Sequence, residues 1–400
     1  MDKKENMEKI DIKKKVQLND FAIKGDEIWF TVNACNKLFH YNIKRNELCS
    51  VGRFPKEVLN KSNLFSAVEE YKNRLFFIPF ISDKIQIYNI KENRFETIEL
   101  IDEKIACKYC SCFREKNCLY LLPVCCKHVL KINLDNFEQE YMWNMEQFLN
   151  MENEESVNVF FNNDTCKCGD YFVSFISDTK TLIVFEPNKK KIQKKKLEFR
   201  FNNIISICNE GNNIFCLERS TGNIVCWNMD SNKITYTEIN YENIAEEILD
   251  EIINIRHQGR VYSVFKNNSI YVCPDLGNAS IRIELEAKSA YTVIKPTENF
   301  EKKYLNSKMY LVNDKLSFFY GAESAFITID EKGTIEKERI LFKESEIISL
   351  KKEMLEEVVM EEDPRICDIT LLIERCSEKE RRRELKKIGD KIFTEIKGDC

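Results

Sequence analysis

The sequence predicts an all-β fold, a closed ring of seven four-stranded units, followed by a short C-terminal α-helical extension. Three observations predict it. First, an apolar run recurs seven times, each followed by the end of a second apolar run that opens into a polar turn. The paired markers are Ile28 and Ile43, Leu75 and Ile90, Leu119 and Leu134, Tyr171 and Pro187, Ile214 and Met229, Ile270 and Leu285, and Leu316 and Ile329. Their separation is 15 residues in five units, 16 in the fourth and 13 in the seventh. Second, the later marker advances by 47, 44, 53, 42, 56 and 44 residues from unit to unit. A period of roughly 40–50 residues belongs to repeat architectures built from four strands each. Third, the runs are short, rich in aromatic and β-branched residues, and separated by Asn-containing or charged turns, as hairpins require.

The second unit shows the element order. Leu64 to Glu70 reads as strand a, Arg74 to Phe80 as b, Lys84 to Ile90 as c and Arg94 to Leu100 as d. The b strands are the most apolar, as in Ile28-Trp29-Phe30, Leu75-Phe76-Phe77 and Ile214-Phe215-Cys216. Near-continuous apolar strands suit a sheet covered on both faces. Pro79, Pro123 and Pro274 each stand four residues after a b marker. Proline removes a ladder donor, so strand b should leave the sheet there. The c strands end in Tyr41-Asn42-Ile43, Tyr88-Asn89-Ile90, Ile132-Asn133-Leu134 and Trp227-Asn228-Met229. The seventh unit, Lys308 to Ile340, reads with a shortened b–c link and with Thr334 to Ile340 as its fourth strand. Ile10 to Leu18 alternates apolar and polar and offers an extra outer strand to close the ring.

On these strands the chain resembles the β-propeller repeat proteins, and it is similar in layout to kelch and Trp-Asp repeat propellers. The resemblance covers about 320 residues and is one of strand rhythm: no double-glycine kelch motif is present, and no unit ends in Trp-Asp. It implies a seven-bladed β-propeller, a squat ring with a central channel and loops that carry specificity. Because functional residues vary among such proteins, it transfers none. The domain reading is an N-terminal segment at 1–18, the propeller at 19–343 and the helical extension at 344–400.

Composition narrows the function. The 61 basic and 66 acidic residues lack the basic excess that a phosphate backbone demands, so nucleic acid is not an expected partner. No window approaches the apolar length of a membrane span, and the first nine residues hold no apolar stretch of signal-peptide length. The expectation is a cytoplasmic protein whose 17 cysteines are reduced, small apolar fillers. Heavy use of Lys, Ile, Asn and Glu beside 11 Gly points to an AT-rich bacterial genome.

Strand alternation puts the d–a and b–c loops on one face, and every long insertion falls among the d–a loops: Pro55 to Asn63, Glu146 to Asn158, Asn240 to Gly259 and Lys295 to Ser307. Long loops in a compact fold tend to carry function. In the third, Ile244, Ile248, Leu249, Ile252 and Ile253 recur at helical spacing opposite Glu246, Glu247, Asp250 and Glu251. That helix either covers the ring or offers a groove to a partner. Polar residues of the b–c loops, Asn33, Asn36, Asp83, Lys127, Asp178, Arg219, Asp275 and Glu323, are candidate ligand or partner contacts at the channel mouth, with Arg256 and His257 from the long loop. Solvated turns are the competing explanation.

No catalytic residue, cofactor or metal is predicted. Cys107-x-x-Cys110 with Cys166-x-Cys168 can in principle supply four thiolates, yet the spacing matches no zinc ribbon, and Cys110 aligns with Ala67 as a core filler. No nucleophile elbow and no glycine-rich phosphate loop is present. The lysine run from Lys189 to Lys196 falls on an outer strand, where lysines discourage edge-to-edge pairing. Beyond Ile340 the period becomes helical, with stripes through Ile347, Leu350 and Val358, through Ile369 and Ile373, and through Leu385, Ile388 and Ile392. Those stripes must dock on the ring, dimerise or bind another protein.

The functional reading is a non-catalytic binding or scaffolding protein that uses the loop-rich face and the C-terminal helices to hold a protein partner. The alternative is an enzyme or sensor with a glycan, peptide or small-molecule site at the channel mouth.

Overall fold

A computed structural model describes residues 18, 20–32, 36–57, 63–101, 107–150, 165–176, 179–197, 203–253, 260–275, 277, 279–294 and 306–340. Among them the chain forms a seven-bladed β-propeller. Seven separate four-stranded antiparallel sheets each run in the order a, b, c, d. Blade 1 holds β1 (Phe21–Lys24), β2 (Glu27–Thr31), β3 (Lys37–Asn42) and β4 (Glu47–Arg53). Blade 2 holds β5 (Phe65–Tyr71), β6 (Arg74–Pro79), β7 (Lys84–Asn89) and β8 (Arg94–Glu99). Blade 3 holds β9 (Tyr109–Glu115), β10 (Cys118–Pro123), β11 (His128–Asn133) and β12 (Gln139–Asn144), followed by α1 (Met145–Asn150). Blade 4 holds β13 (Cys166–Cys168), β14 (Tyr171–Phe175), β15 (Thr181–Glu186) and β16 (Lys191–Lys196). Blade 5 holds β17 (Ile204–Glu210), β18 (Asn213–Glu218), β19 (Ile224–Asn228) and β20 (Ile234–Thr237), followed by α2 (Glu246–Ile252). Blade 6 holds β21 (Val261–Lys266), β22 (Ser269–Pro274), β23 (Ser280–Glu284) and β24 (Ser289–Ile294). Blade 7 holds β25 (Tyr310–Val312), β26 (Lys315–Tyr320), β27 (Ala325–Ile329) and β28 (Ile335–Arg339).

The b–c register is constant round the ring. Every blade pairs a residue of b with one thirteen positions later in c: Ile28 with Tyr41, Leu75 with Tyr88, Leu119 with Ile132, Phe172 with Phe185, Ile214 with Trp227, Ile270 with Ile283 and Leu316 with Ile329. The uneven marker spacings of units four and seven therefore reflect the markers, not the hairpins. In blade 4 the equivalent residue is the buried Phe172 rather than the half-buried Tyr171. The b–c link of blade 7, expected to be shortened, pairs in the same register as the rest. Strands β6, β10 and β22 end on Pro79, Pro123 and Pro274, where the missing donor would otherwise break a ladder.

The Asn residues ending the c strands organise the c–d turns. Asn42, Asn89, Asn133 and Asn228 each accept backbone N–H groups of the turn that follows, at 2.8–3.1 Å. In three blades the preceding aromatic reaches a second Asn five residues on. The Tyr41 hydroxyl donates to Asn46 Oδ1 at 3.0 Å, Tyr88 to Asn93 at 2.6 Å, and Trp227 Nε1 to Asn232 at 3.1 Å. These Asn residues adopt φ values of 49, 48 and 55°, the left-handed region that Asn tolerates. Asn93→Ala should lose that hydrogen bond and strain the turn, destabilising by about 2–3 kcal/mol, while Asn93→Gly relieves the strain and loses about 1 kcal/mol. Urea midpoints at unchanged slope measure both, and equal losses would show that the left-handed backbone carries no cost there.

The core is divided among the seven seams between blades. Seven apolar clusters are each shared by two neighbours, and the seventh joins blade 7 to blade 1 through Leu18, Phe21, Phe30, Tyr41, Phe319 and Phe326. The ring thus closes face to face. The fourth strand of blade 7 is β28, within the segment expected for it, whereas Ile10 to Gln17, the bulk of the segment proposed as a closing strand, lie outside the described residues. The extension at 344–400 lies outside them as well.

Inner strands are also stitched round the channel. Lys24 of blade 1 meets Glu70 of blade 2 at 3.2 Å, Arg114 of blade 3 meets Glu69 at 2.6 Å, and Lys167 of blade 4 meets Glu115 of blade 3 at 2.8 Å. Such half-exposed pairs contribute little stability each, so blade packing dominates. The lysine run forms the 3-10 turn Pro187–Lys189 and β16, the outer edge of blade 4. Lys190 pairs with Glu140 at 2.6 Å, and Lys195 lies 5.4 Å from the Trp227 ring centroid.

Candidate functional site: the channel and the loop-rich face

The channel is lined by the a strands and their approaches. Its cavity, about 60 Å³, is bordered by Asp20, Glu69, Cys110, Cys112, Lys308 and Tyr310, from blades 1, 2, 3 and 7. That volume has room for on the order of two waters, whereas small-molecule pockets run to roughly 300–1,000 Å³. Its thiols are poor nucleophiles. Burial pushes the Cys110 thiol up to about 11 and raises Cys112 well above the ordinary thiol range, so both stay protonated at neutral pH. Burial likewise raises the Tyr310 hydroxyl.

At the channel mouth, two cations hold the same position just before an inner strand: Lys108 before β9 and Arg260 before β21. Each uses its carbonyl to anchor the end of strand b in its own blade, Lys108 to Val124 N at 2.7 Å and Arg260 to Asp275 N at 2.8 Å. Lys108 is only 1% exposed, and its ammonium meets the half-exposed Asp83 of the preceding blade at 2.7 Å. Asp275 Oδ1 accepts the Arg260 backbone N–H at 2.8 Å. Asp83 and Asp275, two of the residues expected at the mouth, thus stand beside Lys108 and Arg260, which periodicity alone did not single out.

The other expected contacts divide. Asn36 is buried, and its amide donates to Phe54 O at 3.2 Å, tying the b–c loop of blade 1 to the chain leaving strand d. Lys127 is exposed, and its carbonyl accepts Met145 N at 2.7 Å at the start of α1. Arg219 is half-buried, and its backbone N–H donates to Asn203 O at 2.8 Å. Glu323 turns outward to strand d of its own blade, meeting Lys337 at 2.8 Å and Arg339 at 3.5 Å. Burial alone would raise its carboxyl, but these cations outweigh it and hold it below the usual range. Asn33, Asp178, Arg256 and His257 lie outside the described residues.

The thiolate set is split by the fold. Cys107 and Cys110 pack in the seam between blades 3 and 4, Cys166 and Cys168 in the seam between blades 4 and 5. Among the described residues no group of three or more His, Cys, Asp and Glu is placed to hold a metal ion. Nor is any described helix long and apolar enough to cross a membrane.

The third long insertion forms α2, and of the two uses open to its apolar stripe the structure shows the first. Ile244, Ile248, Ile252 and Ile253 are buried in the seam of blades 5 and 6, with Leu249 packed beside them. Glu242, Glu246, Glu247 and Asp250 are left exposed on the loop-rich face. Tyr241 donates to Gly222 O at 2.6 Å, joining the insertion to the b–c loop of blade 5.

No protein-family profile and no curated protein matches the sequence. Solved structures do match. Virginiamycin B lyase from Staphylococcus aureus aligns with a TM-score of 0.56 at 10% identity, over 77% of this chain and 92% of that one. YCF48 from Cyanidioschyzon merolae aligns at 0.58 and 10%, over 80% and 97%. The computationally designed Ika8 protein aligns at 0.51 and 11%, over 82% and 92%. At these identities the likeness is one of fold alone. A lyase and a designed protein share this scaffold, so the fold by itself names no activity.

Proposed function

We propose that this chain is a non-catalytic binding or scaffolding protein that holds a protein partner on its loop-rich face, with residues 344–400 as a second contact. The observation that carries this reading is the one-sidedness of the ring. Hairpins on one face are tight, with left-handed turn residues at Lys72-Asn73, Asn267-Asn268 and Asn313-Asp314. Among the described residues the opposite face carries α2 with its exposed acidic side, and the d–a connections are the longest in the sequence. The channel cavity supports the same reading, because Asp20, Glu69 and Tyr310 on its border are engaged in blade-to-blade bonds.

The test is affinity purification of the tagged full chain from its source cell, with cross-links mapped by mass spectrometry. A stoichiometric protein cross-linked to the d–a insertions at 146–158 and 240–259, and lost when residues 344–400 are removed, is the expected result. Cross-links confined to the tight-turn face would overturn the proposal.

A second reading rests on the ion pair of Lys108 with Asp83 and on Asp275, whose carboxylate accepts the Arg260 backbone N–H: an enzyme or sensor for a glycan, peptide or small molecule. A ligand well above its dissociation constant must raise the melting temperature. A thermal-shift screen of sugars, peptides and nucleotides would then yield a hit that Asp83→Ala and Asp275→Ala abolish.

A further inference from the structure

Asp20 stands where the two ends of the ring meet, and one carboxylate joins three blades there. Its Oδ1 accepts the N–H of Phe21 in β1 at 2.9 Å and the hydroxyl of Tyr310 in β25. Its Oδ2 accepts the N–H of Val68 in β5 at 2.9 Å. The side chain is buried, 8% exposed, and borders the channel cavity. At the matching register, three positions beyond the b marker, blades 2, 3, 5 and 6 carry Ala67, Ser111, Ser206 and Tyr262 in strand a. In those four blades the position holds no carboxyl group.

We propose that Asp20 is a proton-operated latch: it strengthens the closing seam of the ring when it takes up a proton and loosens it when it ionises. The groups facing it come from every neighbouring element. Glu69 stands on β5, itself held by Arg114; Cys110 and Cys112 stand on β9; Lys308 and Tyr310 belong to blade 7. Among the described residues, Lys308 is the one cation in that lining, and its attraction is outweighed by the desolvation of a carboxylate enclosed between blades. Burial pushes the Asp20 carboxyl up to about 6, against the opposing pull of Tyr310, Lys308 and the two backbone donors.

The direction follows from linkage. The folded value lies above the ordinary 3.8, so the native state binds the proton more tightly than the unfolded chain does. The latch contributes stability that is complete below about pH 4 and is lost as the pH rises through about 6. Between about pH 7.5 and about pH 5 this amounts to roughly tenfold in the folding equilibrium constant, in favour of the folded ring at the lower pH.

The experiment is urea unfolding of the full chain across that pH range, alongside Asp20→Asn, Tyr310→Phe and Lys308→Met. The native chain is expected to show the tenfold gain on acidification beyond that of Asp20→Asn, which keeps the shape without the titration. Tyr310→Phe and Lys308→Met remove groups that favour the ionised form, so each should move the midpoint of the pH dependence upward. If Asp20→Asn retains the full pH dependence, the proposal falls. If that variant does not fold, unchanged midpoints in both of the others overturn it equally.

Discussion

Replacing Phe326 by alanine should cost about 3–5 kcal/mol and should open the ring at one place, between blades 7 and 1. Phe326 is 3% exposed in β27, and its ring meets Phe21 at 5.0 Å, Phe30 at 5.9 Å and Phe319 at 5.2 Å between centroids. The first two belong to blade 1. Six of the seven seams are crossed by the chain itself, so a weakened contact there still has its partners tethered. Among the described residues the seventh is not: blades 1 and 7 are joined by packing and by long-range bonds such as Tyr310 to Asp20, 290 residues apart. A cavity at that seam therefore releases both ends of the ring, and local opening precedes global unfolding. Amide exchange should rise first in β1, β2, β27 and β28. The control is Phe113→Ala. Phe113 is as buried and stacks on Phe172 at 4.3 Å across the tethered seam of blades 3 and 4. It should cost a similar amount without exposing the chain ends, and matching exchange patterns in the two variants would refute the special role of the closing seam.

Much of this ring was legible in the sequence because each blade repeats a local pattern. Strand b is apolar on both faces since it is sandwiched between neighbouring blades, and strand c ends in an Asn whose side chain folds the turn onto itself. Both causes act within about twenty residues and leave a period. The second unit shows how closely: strands expected at Arg74 to Phe80 and Lys84 to Ile90 are Arg74–Pro79 and Lys84–Asn89. The slips have a common origin. Markers chosen by hydropathy fell on Tyr171 instead of Phe172, and in blade 7 on Ile329, the last residue of the strand, where the other blades place the marker on the first turn residue. Hydropathy does not register the pairing of backbones, whereas the thirteen-residue b–c register does.

The candidate site was less legible, for a physical reason. The residues that matter in the channel act across blades, so their partners lie far away in sequence and share no period with them. Asp20 and Tyr310 have no local relation, and neither do Lys108 and Asp83. Glu323, expected at the mouth from its loop, pairs with Lys337 and Arg339 on strand d of its own blade. The one available signal was an ionisable residue at a strand approach that should be apolar, as with Asp20 before Phe21-Ala22-Ile23 and Lys108 before Tyr109-Cys110.

The largest effect on the loop-rich face should come from Gly222→Ala, which is expected to detach the α2 insertion at a cost of about 3–5 kcal/mol. Gly222 has φ of +71°, a conformation in which an added Cβ costs about 1–2 kcal/mol by itself. That Cβ would also lie 2.7 Å from Tyr241 Cζ and closer still to the Ile253 side chain, with both neighbours fixed in the seam of blades 5 and 6. The tyrosine cannot retreat cheaply. Tyr241 is held by its hydrogen bond to Gly222 O, and Ile253 N–H is donated to Leu249 O at 2.7 Å in the last turn of α2. Overpacking of this kind costs about 1–3 kcal/mol, and the displaced tyrosine loses about 1 kcal/mol of hydrogen bonding. The strain can be relieved without unfolding the ring, since the insertion is a surface element that can lift away. Limited proteolysis should then cut between residues 240 and 259 while the blades stay intact. Because Tyr241→Phe removes the hydrogen bond and leaves the packing, it should cost only about 1 kcal/mol and leave the insertion protected. If Gly222→Ala matches that small loss, the crowding at Gly222 is not what holds α2 on the ring.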